Sequence, residues 1–207
     1  MVRFGGACVA AAIAVAAVSG LAPQRALAAA STTDFKPGPD GSLVHTPTGL
    51  RFPRTAEGFT RTATVSLDPA GDYATITYES GKGAKRIVAQ IALVQIRDMT
   101  ALEHYAAMAP RIGTYFPGLT FDQVKPLSDG PLSLPGVAPR DAWQGHFSAS
   151  RGDQPYMLSL STLDMGAWAG RVAAAYPEAD TADARTRLNT LVAQIRATGP
   201  HHTHAAP

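Results

Sequence analysis

A chain of 207 residues, less a presequence and a tail, fits one domain of ordinary size, and only 16% of its residues are charged against roughly 25% in average soluble domains. The formal net charge is +2, part of it from Arg3 and Arg25 near the start, so the body of the protein is close to neutral and lacks the clustered Lys and Arg that phosphate backbones demand. The one cysteine, Cys8, sits in the presequence; the remainder has no disulfide, no thiol nucleophile and no zinc-thiolate site.

Residues 1–28 read as a cleavable signal peptide. Arg3 supplies the positive start, Ala7 to Val18 an apolar core too short for the ~20 residues of a bilayer span, and Ala26-Leu27-Ala28 the small residues a signal peptidase reads. Residues 29–42, rich in Ser, Thr, Gly and Pro, are expected to form a flexible linker. A single domain is expected over 43–198. Phe59 to Leu67 alternates Phe59, Ala63, Val65 and Leu67 against Thr and Ser, the period of a half-buried strand. Tyr73 to Glu79 is a second strand. Lys82, Lys85 and Arg86 beside Gly81 and Gly83 form the nearest thing to a basic cluster and read as a solvated hairpin turn. Arg86 to Ile96 is apolar except for Gln90 and Gln95, which predicts a central strand covered on both faces.

Thr100 and Glu103 then make a capping box, opening a helix whose apolar stripe is Leu102, Tyr105, Ala106 and Ala109 and which Pro110 limits or bends. His104 beside Tyr105 reads as a surface residue. Leu119 to Leu127 is a weak strand, and Pro131, Pro135 and Pro139 punctuate a long connection. Ala142 to Ala149, Tyr156 to Thr162 and Trp168 to Tyr176 alternate as strands, the first two joined by a turn at Arg151-Gly152-Asp153-Gln154. From Asp180 to Thr198, Ala184, Leu188, Leu191, Val192 and Ile195 recur at helical spacing, and Gly199-Pro200 ends the helix. Residues 199–207 are expected to be a disordered His-containing tail. Strands in hairpin succession with helices mid-chain and at the end define an α+β fold, an antiparallel sheet with both helices packed on it.

The order of Gly49-Leu50-Arg51-Phe52-Pro53, the Glu57-Gly58-Phe59 turn, the apolar strand Arg86 to Ile96 leading to Leu102-Glu103-His104-Tyr105, and the ending from Trp168 through Arg171, Val172, Tyr176 and Pro177 into a helix resembles the PsbP/DcrB-like superfamily of small exported bacterial proteins. The resemblance spans roughly residues 43–197 and lies in pattern, not in a diagnostic motif. It implies a central antiparallel sheet sandwiched by helices, and an accessory or binding role without a shared catalytic set.

Candidate chemistry is sparse. Arg171 interrupts a run of alanines and fits either bidentate contact with an anionic ligand or, more plainly, a pairing with Asp164 or Glu178 or a place at the sheet edge. Trp143 and Trp168 read as core, with a ligand groove lined by them as the alternative. His146 shares a strand parity with Gln144 and Ser148, but no nucleophile elbow accompanies it, and a solvent-facing histidine is the plain reading. His201, His202 and His204 have metal-ligand spacing without a carboxylate or cysteine to complete a site. Arg151-Gly152-Asp153 matches an adhesion tripeptide and is read as a turn. The sequence therefore leads to an exported protein, periplasmic or secreted. It is expected to be a non-enzymatic module binding a protein partner or small ligand, with no cofactor, no nucleic acid and no transmembrane anchor after cleavage. A hydrolase with a site near His146 and metal handling through the histidine tail are the alternatives.

Overall fold

The computed structural model describes residues 34–68 and 71–198. The signal peptide expected at 1–28 and the histidine tail at 199–207 lie outside them. Within the stretch expected to be a linker, Phe35–Pro37 forms a strand, β1, paired antiparallel with β2 (Leu43–His45), which pairs in turn with β3 (Arg51–Phe52). Phe35 is buried against Phe52 and His45, and this aromatic anchoring extends the fold upstream of the boundary that composition suggests.

The main sheet contains β4 (Thr55–Ala56), β5 (Phe59–Ser66), β6 (Tyr73–Ser80), β7 (Ile87–Val94), β8 (Asp122–Pro131), β9 (Ala142–Arg151), β10 (Gln154–Asp164) and β11 (Ala169–Pro177). Their spatial order is β4-β5-β6-β7-β11-β10-β9-β8, antiparallel throughout. Two meanders meet where β7 pairs with β11, so the most apolar strand is central, as its composition predicts. The chain crosses between the meanders through helix α1 (Ala101–Met108) and a 3-10 turn over Ala109–Thr114, which lie across one face of the sheet, while helix α2 (Thr181–Arg196) covers the other. The fold is α+β with a helix mid-chain and another at the C-terminal end of the sheet's last strand.

Period-two alternation divides the core into two layers. Val172, Ala174 and Tyr176 of β11 join Phe59, Ile76, Ile91, Leu188, Leu191 and Ile195 beneath α2. Ala173 and Ala175 join Tyr105, Ile112, Phe116, Phe147, Leu158 and Leu160 beneath α1. Small side chains on β11 let the covering segments approach the sheet, as does Gly145 on β9, where a Cβ would overlap the Tyr105 ring.

Several local expectations are corrected. A bulge between Arg61 and Ala63 reverses the parity of β5, so Phe59 lies under α2 while Ala63 shares a face with Thr77, and Leu67 is left exposed. The capping box of α1 is present, with Thr100 Oγ1 accepting from the Glu103 N–H and the Glu103 carboxylate accepting from the Thr100 N–H. Its buried face, however, is Ala101, His104 and Tyr105, and Leu102 is half exposed. His104, expected at the surface, is buried, because α1 turns this side to the sheet, where Thr162 Oγ1 donates to the Ala101 carbonyl at 2.7 Å. Strand β8 runs on to Pro131 as an edge strand. Two irregularities and Pro126 interrupt its pairing, features tolerated where one side has no neighbour.

Candidate functional site

Arg171 is the most unusual side chain in the structure. It lies on the central strand β11, on the parity of Ala173 and Ala175, and is only 3% exposed. The expectation of an acidic partner or a sheet edge is corrected on both counts. All 16 Asp and Glu residues of the chain lie among the described residues, and no salt bridge joins any of them to Arg171. Neutral groups hold the guanidinium instead. Nη2 donates to Gln90 Oε1 at 3.1 Å and to the Tyr73 hydroxyl at 3.3 Å, and Nη1 donates to Met108 Sδ at 3.4 Å. The Tyr115 ring lies over the guanidinium carbon at 3.9 Å from its centroid. Nε is buried with no hydrogen-bond partner among the described residues.

The fold assembles this cluster from five places. Tyr73 and Gln90 come from β6 and β7, Arg171 from β11, and Met108 and Tyr115 from the end of α1 and the segment after the 3-10 turn. The Tyr115 hydroxyl donates to the Met108 carbonyl at 3.0 Å and so ties the two covering residues together. His104 feels the same cation. Its pKa is lowered from 6.5 to about 4, by burial first and by the Arg171 charge second, which keeps its ring neutral. Thr75 and Thr77 are buried farther along the same face of β6.

On the same sheet face, toward the β8–β9 edge, is a cavity of about 740 Å³. Tyr105, Ile112, Phe121, Val124 and Phe147 give it an apolar lining, and Arg111 and Asp129 also border it. Its walls are the 3-10 turn on one side and the irregular stretch of β8 on the other. The α1 segment thus separates the cavity from the Arg171 cluster.

The remaining candidates are dispersed. His146 faces α2 near Ser159, Ser161 and Arg185, and its pKa is lowered by burial first and by Arg185 second. Gln144 Nε2 donates to Ser161 Oγ at 2.9 Å, and no hydrogen bond joins His146 to a carboxylate among the described residues. Trp143 packs beside the layer under α1, and Trp168 beside the layer under α2, edge-on to His45 at 5.1 Å. Lys82 and Lys85 are exposed, Arg86 pairs with Glu79 at 2.9 Å, and Arg151-Gly152-Asp153 forms an exposed turn. His201, His202 and His204 fall outside the described residues, within which no group of three or more His, Cys, Asp or Glu side chains is placed to hold a metal ion. Sequence reasoning flagged Gln90 and Arg171 as separate polar interruptions. It missed Tyr73, whose only signal is strand parity, informative once the β6-β7-β11 order is known, and Tyr115, which lies in the crossing segment and carries no such signal. It also missed His45, which is fully buried with its pKa lowered to about 4, by burial first and against the opposing pull of Asp34.

The site and sheet define an α+β protein with a buried, ion-unpaired arginine and an adjoining apolar cavity. No family model and no curated protein sequence matches the chain. Among solved structures it is similar to the Ran-binding protein Mog1p of Saccharomyces cerevisiae, at 10% identity over 68% of this chain and 94% of that one, with a TM-score of 0.38. A mutant form of Mog1 gives 10% identity, 67% and 94% coverage and a TM-score of 0.37. At these values the likeness assigns neither a partner nor an activity to this chain.

Proposed function

We propose that the protein is an exported, non-enzymatic binding module of the cell envelope that takes the apolar part of a small ligand into the cavity between the 3-10 turn and β8–β9. The cavity is the observation that carries this reading. Its volume lies within the range of small-molecule sites, and its lining has their usual character, an apolar interior with a few polar groups at the border. The three-part start of the sequence supports export, and the pattern-level resemblance to the PsbP/DcrB-like superfamily supports a binding role. Among the described residues no helix is long and apolar enough to cross a membrane.

The test uses the environment-sensitive dye N-phenyl-1-naphthylamine with the full chain and with Val124→Trp, which fills the cavity from the β8 side. Saturable dye binding at one site, lost in Val124→Trp while the thermal midpoint is kept, is the expected result. No saturable binding, or equal binding by the filled variant, overturns the reading. Mass spectrometry of native material checks export: a mature form beginning at residue 29 is expected, and an intact Met1 on protein recovered from the cytosol contradicts it.

A further inference from the structure

We infer that the half-buried sheet surface formed by Tyr73 and Gln90, backed by the Arg171 charge, is a binding site for the carboxylate group of a small molecule. Removing a guanidinium from water is expensive unless an anion or a full set of hydrogen bonds replaces its hydration. Arg171 has neither. Three of its five N–H donors meet acceptors, one of them a thioether sulfur, and no carboxylate among the described residues pairs with it.

Hydrogen-bond direction points to where an anion would bind. The Tyr73 oxygen and Gln90 Oε1 both accept from Nη2, which leaves the phenolic O–H and the amide N–H pair available to donate to a further partner. Both residues are only partly buried, whereas Arg171 is enclosed, so an anion reaches the cluster through them. The charge is relayed outward through two polarised neutral groups. Glu79, on the same face of β6, lies two residues beyond Thr77, the cross-strand partner of Gln90, and is already paired with Arg86 at 2.9 Å. One buried cation with two neighbouring donors suits a monovalent, planar carboxylate, which takes one hydrogen bond on each oxygen. The site is on the opposite side of the α1 segment from the apolar cavity and stands whether or not that cavity is occupied.

The experiment titrates the full chain with sodium acetate against sodium chloride at matched ionic strength, reading the thermal midpoint and the side-chain amide resonances of Gln90. Acetate is expected to raise the midpoint saturably and to shift those resonances, with chloride doing neither. In Arg171→Met the acetate response is expected to vanish, while the midpoint without acetate is equal to or above that of the parent, because an unpaired buried charge has been removed. An acetate response retained in Arg171→Met, or a parent that answers acetate no more than chloride, overturns the proposal. An equal response to phosphate overturns the carboxylate assignment. Gln90→Leu, which leaves the guanidinium in place and deletes one donor, decides the matter if Arg171→Met does not fold: acetate binding at least tenfold weaker is expected, and unchanged binding refutes the site.

Discussion

The guanidinium carbon of Arg171 stands 3.9 Å from the centroid of the Tyr115 ring, so the covering segment closes over the central strand by stacking an aromatic face on a cation. Such a contact is worth about 0.5–2 kcal/mol depending on desolvation, and here it replaces part of the hydration the arginine has lost. Tyr115→Phe keeps the face and loses the hydroxyl, with its hydrogen bonds to the Met108 carbonyl and Sδ, an expected cost of about 1 kcal/mol. Tyr115→Leu loses both and is expected to cost about 2–3 kcal/mol. Equal costs in urea denaturation would show that the stack contributes nothing.

Gly145 is a packing requirement of α1. A Cβ there overlaps the Tyr105 ring, which belongs to the buried layer beneath the helix. Gly145→Ala is expected to destabilise by about 1–3 kcal/mol, the usual range for overpacking a core. In a double-mutant cycle, Tyr105→Ala should recover at least about 1 kcal/mol of that loss; additive effects would remove Tyr105 as the cause.

Two buried histidines make the fold sensitive to mild acid. His45 and His104 both have pKa values lowered from 6.5 to about 4, chiefly by burial. Between those values the unfolded chain binds more protons at these rings than the folded one, so their contribution to stability is full above about pH 6.5, falls as pH drops through the window and is lost below about 4. The limit is roughly 3 kcal/mol for each ring. Thermal midpoints measured from pH 7.5 to 4.5 at constant ionic strength check this, and His104→Leu should flatten the slope by about half. A midpoint unchanged between pH 7 and 5 would contradict the burial of both rings.

The capping box at Thr100 holds the start of the helix that separates the two candidate sites. Thr100→Ala is expected to cost about 1 kcal/mol, and Thr100→Asp, which retains an acceptor, much less. Hydrogen exchange should show the loss concentrated in Ala101–Met108. Uniform loss across the sheet would place the effect elsewhere.

Much of this architecture is legible in the chain because local periodicity speaks directly to local structure. The central strand Ile87–Val94, the helix Thr181–Arg196 with its buried Ala184, Leu188, Leu191 and Ile195, and the Thr100–Glu103 cap all follow from spacing along a few turns or pleats. Where a single residue disturbs the period, the reading fails. The bulge at Arg61–Ala63 reverses half of β5, and α1 turns His104 inward in place of Leu102.

Hydrophobic spacing by itself thus determined the α+β class, the two helices and the centrality of β7, since each depends on neighbours close in the chain. Only the tertiary structure decided what Arg171 does. The order β6-β7-β11 brings Tyr73, Gln90 and Arg171 together from positions as far as 98 residues apart, and the crossing segment adds Met108 and Tyr115 from above. A strand's sequence shows which side chains share its face but not which strands lie beside it, and it is the neighbouring strands that leave this arginine buried without an acid.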